Sequence, residues 1–260
     1  MELFYMPEIP LSTIDLTPVE KRGTLYFKRD DYYEFAGVRG GKVRTAQVLC
    51  QGSKGLTTAG SRHSPQIVIV SHIANYWKIP FRGHTSAGEL SPELKALGKH
   101  PLTTIKQWKP GYNTVIKKRA LDDAMLQGVG WRCIPFGMQD PEAVLQTGRQ
   151  TRNIPTEVKR VVVPVGSAMS LCGILHGLRG AGHLVPVLGV QVGADPRKTI
   201  YKYLPAREQT RFEIVKAKES YDKRLEDVTV EGVHLDPVYE AKCACFLQPG
   251  DLLWIVGIRN

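Results

Sequence analysis

The chain has 260 residues, 42% of them hydrophobic and 23% charged, with a formal net charge of +10. Those proportions are ordinary for a soluble globular protein, and no apolar run approaches the roughly 20 residues of a membrane span. Disorder and membrane insertion are therefore excluded, while one α/β body and two small interlocked lobes both suit the length.

The charge surplus attracts polyanions such as nucleic acid. A solubilising charge or an acidic partner is the alternative. Five cysteines, Cys50, Cys133, Cys172, Cys243 and Cys245, are odd in number and form no C-x-x-C pair, so reduced thiols are expected. Cys243-x-Cys245 is a weak metal pair, because residues two apart on a helix diverge. The opening residues lack a basic stretch followed by an apolar one, and the expectation is a cytoplasmic protein.

In chain order, residues 1 to 30 carry Pro7, Pro10 and Pro18 and read as an extended arm leading to a short strand at Leu25–Arg29. Asp30-Asp31 turns the chain toward Gly37-Val38-Arg39-Gly40-Gly41-Lys42-Val43-Arg44, which sets a lysine on a glycine-loosened turn before a helical segment from Val43 to Cys50. Lysine forms Schiff bases with aldehydes and ketones. The bland reading of this turn is a surface Gly-Gly connection.

Gly55 to Gly60 is a brief β segment, and the polar loop Ser61 to Gln66 runs into a buried helix from Ile67 to Ala74. A strand, polar loop and helix make half of a βαβ unit, with donors collected at the helix start. Strands are expected at Ile79–His84 and Thr103–Lys106. Between them Ser91-Pro92 opens a helix that Gly98 stops. Tyr112 to Met125 reads as an amphipathic helix with Val115, Ile116, Ala120, Leu121 and Ala124 inward and Lys117, Lys118 and Arg119 outward. Gly130 to Gly137 is strand-like, and Asp140-Pro141-Glu142 caps the next helix. This alternation implies mainly parallel sheets flanked by helices, an α/β fold.

Val161 to Val165 reads as a buried strand, and Gly166-Ser167-Ala168-Met169-Ser170 leads from it into the helix Leu171 to Leu178. Such a small-residue loop presents free N–H groups and hydroxyls to a phosphate, and the helix dipole favours the charge. Neither a Walker loop nor G-x-G-x-x-G is present, and a plain tight turn is the alternative. Val187 to Val192 is another buried strand. Residues 197 to 224 are strongly basic with modest helical periodicity, Asp236 to Lys242 opens a further helix, and Leu252 to Gly257 is the last strand.

Taken together these motifs resemble the fold type II pyridoxal-phosphate (PLP) enzymes, the tryptophan synthase β-subunit-like group, and within it the branch of aminocyclopropane-carboxylate deaminase and D-cysteine desulfhydrase. The resemblance runs from about Tyr26 to the C-terminus. Gly40-Gly41-Lys42-Val43-Arg44 is similar to that branch's G-G-N-K-x-R shortened by one residue, and Leu235 to Lys242 to its L-D-P-V-Y-x-x-K. Val190 to Thr199 is similar to the strand and turn after its phosphate helix.

The resemblance implies that Lys42 is the Schiff-base lysine, and that Gly166, Ser167, Ala168, Met169 and Ser170 hold the phosphate. Ser64 falls near the substrate carboxylate and Tyr239 at the active-site tyrosine, with Lys42 the general base or acid and Tyr239 second. Three departures stand out. Ser64-Pro65-Gln66 replaces Ser-Asn-His, leaving His63 or Gln66 to meet the ring hydroxyl. Val256-Gly257-Ile258-Arg259 replaces His-Thr-Gly-Gly, so Gly257 stands where a threonine faces the pyridine nitrogen. The chain is also shorter than the branch, at the expense of the small domain.

The resulting expectation is a large domain of residues 1–58 and 131–260 and a reduced small domain of residues 59–130. The implied activity is PLP-dependent cleavage of a Cα bond of an α-amino-acid moiety, by decarboxylation, deamination or elimination. A basic segment with Arg197, Lys198, Lys202, Arg207 and Arg211 suggests that the amino acid is carried on a modified DNA base, as in phage hypermodification. A homodimer is usual for the fold. The alternative is a catalytically reduced protein of the same fold that binds nucleic acid or a partner through its basic face.

Overall fold

The computed structural model describes residues 16–62, 65–109, 111–182, 184–208 and 211–257. The first half of the arm expected at residues 1 to 30 lies outside these. Strand β1 (Val19–Arg22) turns back on β2 (Leu25–Arg29), whose five residues are all buried. A two-rung hairpin of β3 (Glu34–Phe35) and β4 (Val38–Arg39) then delivers the chain to helix α1 (Gly41–Cys50).

Next come β5 (Gly55–Ala59), α2 (Pro65–Tyr76), β6 (Phe81–Ser86), α3 (Pro92–Leu97), β7 (Thr103–Trp108), α4 (Asn113–Gln127) and β8 (Trp131–Ile134). Their strands form a wholly parallel sheet in the order β7-β6-β5-β8. The predicted caps are in place: Ser91 accepts from Leu94 N–H at the start of α3.

The remainder builds the larger sheet. It comprises α5 (Pro141–Arg149), β9 (Arg160–Val165), α6 (Met169–Gly180), β10 (Val187–Gln191), α7 (Arg197–Tyr203) and β11 (Phe212–Lys216). A small hairpin of β12 (Thr229–Val230) and β13 (Val233–His234), a 3-10 segment at Glu240–Phe246 and β14 (Asp251–Ile255) complete it. The order is β1-β2-β14-β9-β10-β11, parallel except for β1. The Arg160 guanidinium grips the Asp251 carboxylate through Nε (3.1 Å) and Nη2 (2.6 Å), which pins β9 to β14 in register.

Both sheets share one core. A cluster of buried side chains runs from Leu56 and Phe81 in the small sheet through Val43 and Ala46 of α1 to Val161, Val163 and Trp254 in the large one. Alternate residues of the same strands, Val162, Leu253 and Ile255, bury the opposite face with Phe27 and Leu235. The question of one body or two lobes is thus answered by two sheets fused through common apolar contacts.

Proline is normally excluded from a central strand because it cannot donate to the ladder, yet Pro164 lies in β9. The pairing explains it. β14 accompanies β9 only from Arg160 to Val162, and its last residues, Trp254 and Ile255, stay with β2. Beyond Val162 the two strands part, no donor is needed there, and a gap opens at their C-terminal ends.

Three local expectations are corrected. Leu121 of α4 is 52% exposed, and Asp123 points inward instead. Its carboxylate collects Arg82 (3.0 Å), Lys106 (2.9 Å) and the Nε2 of buried His84 (2.9 Å), while Trp108 Nε1 donates to His84 Nδ1 (3.0 Å). That inner ionic cluster turns the helix away from its apolar register. Among the described residues of 197 to 224 are the short helix α7, a 3-10 turn at Ala206–Glu208 and the parallel edge strand β11. Finally, the helix expected from Asp236 is a 3-10 segment, Glu240–Phe246, preceded by a turn in which Asp236 Oδ1 takes up the N–H groups of Val238 and Tyr239 (both 2.9 Å).

Candidate active site

The site lies at the carboxyl ends of the parallel strands, where the crevices of open α/β sheets form. The start of α1 is fixed there by two contacts. Gly40 N–H donates to Tyr33 O (2.9 Å) and Gly41 N–H to Val256 O, just past β14 (2.8 Å). Gly40 has φ 116°, a conformation closed to other residues, and a Cβ on Gly41 would overlap Asp30 Oδ2. The Gly-Gly pair is thus needed for conformation at one position and for space at the next. Lys42 follows as the second residue of the helix, at the mouth of the gap.

Behind it Asp30, 2% exposed, ion-pairs with Arg44 Nη2 (2.9 Å) and accepts from Trp254 Nε1 (3.3 Å) and Thr17 Oγ1 (3.3 Å). Arg44 also lies over the Tyr33 ring (4.3 Å). One carboxylate therefore ties α1, β2 and β14 together.

From the other side, β9 ends in Gly166-Ser167-Ala168. Ala168 adopts the left-handed conformation (φ 66°, ψ −2°) and turns the chain into α6. A helix start leaves its first N–H groups without intrahelical partners, and these belong to the loop that borders the gap. Lys42, Gly166, Ser167, Ala168, Met169 and Ser170 line a single cavity together with Tyr239, Asp236, Glu240 and Gly257. The space they border, solvent mouth included, is about 720 Å³.

Tyr239 is seated tightly, since a Cβ on Gly166 would come within 3.1 Å of its ring and 3.3 Å of its hydroxyl. The ring of Tyr221 meets it edge-on at 6.2 Å. Buried Lys242 fastens that neighbour by donating from Nζ to Ser220 O (2.7 Å) and Tyr221 O (3.2 Å).

Glu240, beside Tyr239, went unnoticed in the sequence. Its side chain is fully buried, Oε1 accepts from Val256 N–H (2.7 Å), and Oε2 has no partner of hydrogen-bond geometry among the described residues. Burial, with the Asp236 carboxylate nearby, pushes its carboxyl up to about 8. An acid at this place in Leu235 to Lys242 was visible, but its burial was not.

Other expected site residues lie elsewhere. Gln66 does not line this cavity but lines the wider trench that shares Lys42 and Tyr239 with it; its Nε2 donates to Thr58 Oγ1 (2.7 Å) and Pro135 O (2.8 Å), and its Oε1 accepts from Gly137 N–H (2.7 Å), bracing β5 against the turn after β8. Pro65 lines the cavity in front of it. His63 and Ser64 lie outside the described residues.

Two fused parallel α/β sheets with this cleft between them are the fold of the fold type II PLP enzymes. Among solved structures, the chain is similar to an ACC deaminase homologue, with a TM-score of 0.75 and 21% identity over 93% of this chain and 89% of that one. It is also similar to a threonine deaminase from Solanum lycopersicum (0.60, 14%, 91% and 75%) and a fungal L-serine ammonia-lyase from Rhizomucor miehei (0.61, 14%, 93% and 92%). No protein-family model and no curated protein matches the sequence. No helix among the described residues is long and apolar enough to cross a membrane.

Proposed function

We propose that the protein is a PLP-dependent lyase that cleaves a Cα bond of an α-amino-acid moiety by decarboxylation, deamination or elimination. The observation that carries this reading is the convergence of Lys42, the 166–170 loop, Tyr239 and Glu240 on one cavity. The residues fit the cofactor. Glu240 Oε2, a buried oxygen without a hydrogen-bond partner among the described residues, suits the pyridine nitrogen, the loop and helix start suit the phosphate, and Lys42 offers the amine for covalent attachment. In this reading residues 1–58 and 131–260 hold the cofactor and residues 59–130 form a reduced lid, with two strands of the lid's four-stranded sheet, β5 and β8, supplied almost entirely from outside those bounds.

When bound, PLP supplies an electron sink for the pair left by the broken bond. The chain supplies the rest. Lys42 Nζ moves the proton at the substrate Cα, Tyr239 Oη is the second proton carrier, and the tight seat against Gly166 keeps the Tyr239 ring from drifting. The test is the visible absorption that a lysine-bound PLP carries. We expect it in the wild-type protein, and a colourless protein at saturating PLP sinks the reading.

Within the same proposal, the amino acid is carried on a modified DNA base, as in phage-type hypermodification, and the protein works as a cytoplasmic homodimer. The support is the net charge of +10 and the exposed Lys198, Lys202 and Arg207, with Arg211 half-buried. Arg197 is exposed too but is paired with Asp195 (2.8 Å). A second reading, a catalytically reduced protein that uses this basic face, is favoured by Pro65 and Gly257, which bring no polar side chain to the cavity. Retained cofactor without turnover on amino acids or their nucleic-acid adducts would select it.

Glu240 yields a prediction independent of turnover. Its ordinary value is 4.5 and its folded value about 8, so between these the folded state holds a proton that the unfolded state has lost. Stability therefore declines as pH rises from about 4.5 through about 8. Glu240→Gln removes this slope while keeping an acceptor for Val256 N–H. Without cofactor, the variant's melting temperature should gain on wild type by several degrees between pH 5 and pH 8.5, at ~2–4 °C per kcal/mol. Parallel melting curves across that range would show that the carboxyl titrates normally.

A further inference from the structure

We propose that the open trench beside the cofactor cavity seats the carrier of the substrate amino acid, and that the carrier is an unstacked nucleobase of a single nucleic-acid strand. This rests on the PLP reading above and adds where, and by which groups, the carrier is held. The trench shares Lys42, Gly166, Ser167 and Tyr239 with the cavity and offers about 680 Å³. Small-molecule sites occupy roughly 300–1,000 Å³, so the trench has room for a ligand well beyond a free amino acid.

The chemistry of the walls narrows the class. Gln139 Nε2 is held by Thr199 Oγ1 (3.2 Å) and Gln191 Nε2 by Gly193 O (3.1 Å). Each amide is thereby oriented through one bond while keeping a further N–H and its carbonyl oxygen for a ligand. Donor–acceptor pairs of this kind match the hydrogen-bonding edges of bases. Tyr221, 47% exposed, offers a ring on which a flat base stacks.

Cations stand on both sides. Lys117 of α4 lies over the Phe136 ring (4.3 Å), and Lys216 ends β11 on the opposite wall. Acidic groups are fewer: Asp195 is engaged by Arg197, which leaves Glu219. Thr199 belongs to the wall and lies between exposed Lys198 and Lys202 on α7, so the basic surface begins at the trench lip. An acidic polypeptide would use the cations but not the tyrosine ring and the amides. A base reaching Lys42 must leave its stack, which single strands permit at least cost.

The test uses full-length protein loaded with PLP and a fluorescein-labelled single strand of roughly 12 nucleotides, followed by anisotropy across a salt series. The double variant Lys117→Glu/Lys216→Glu should weaken binding at least tenfold and flatten the salt slope by about 1.4, at ~0.7 for each phosphate that is no longer neutralised. Its cofactor absorption and melting temperature report that the cavity and fold are intact. Tyr221→Ala should weaken binding with no change in slope. Absent cofactor absorption in wild type removes the underlying reading and this one with it. Absorption present, with binding absent or equal in wild type and variants, overturns the trench assignment alone. Displacement by polyglutamate as readily as by unlabelled strand also overturns it, in favour of an acidic polypeptide.

Discussion

Lys42→Ala protein supplied with PLP is expected to stay colourless and to lose roughly 10²–10⁴-fold in turnover, the usual worth of a positioned proton carrier. The expectation follows from how the residue is held. Gly40 docks the helix start on Tyr33 and Gly41 docks it on Val256, and the side chain that follows lines the same cavity as the 166–170 loop. Folding should be nearly untouched, because Lys42 is only partly buried and its truncation leaves the Asp30–Arg44 pair intact. A melting temperature close to wild type, with the colour gone, separates loss of chemistry from loss of fold. Full colour in the variant would assign the amine elsewhere. Lys42→Arg should behave likewise, since a guanidinium keeps the charge but is not deprotonated to attack a carbonyl.

Asp30→Ala is expected to cost about 3–5 kcal/mol, the range for breaking a buried ion pair by removing one partner. Arg44, with a side chain 7% exposed, would be left charged and uncompensated, and Trp254 Nε1 would lose its acceptor. For a chain of this size the melting temperature should fall on the order of 10 °C. Asp30→Asn keeps one acceptor oxygen, enough for either Trp254 Nε1 or Thr17 Oγ1 but not both, and should cost less than Asp30→Ala. Adding Arg44→Met to Asp30→Ala should restore much of the loss, because no unpaired charge then remains buried. If the double variant is no better than Asp30→Ala, the cost comes from the shape of the α1 docking site rather than from the charge.

Where local rules decide the backbone, the sequence was sufficient. Ser91-Pro92 and Asp140-Pro141 each open a helix at the expected residue, and Leu25–Arg29 and Val161–Val165 are strands because runs of apolar residues between turns have nowhere else to go. The Gly40-Gly41-Lys42 turn was legible for the same reason, since its demands are made by its own backbone. What escaped notice depends on partners distant in the chain. β11 is a half-buried edge strand in a stretch whose basic, weakly periodic sequence names no element until β10 supplies its ladder. Leu121 was placed inward because hydropathy cannot foresee that Asp123 will gather Arg82, His84 and Lys106. Glu240 reads as a surface acid, and only the third dimension encloses it between Asp236 and Val256. Pro164 is tolerated in β9 because β14 parts from that strand beyond Val162 and no donor is missed.

The most direct measurement is to load the protein with PLP, reduce with borohydride, digest, and locate the modified residue by mass spectrometry. The account predicts one pyridoxyl-phosphate adduct, on the peptide that contains Lys42. An adduct on another lysine, or none from a protein that melts cooperatively, would contradict it.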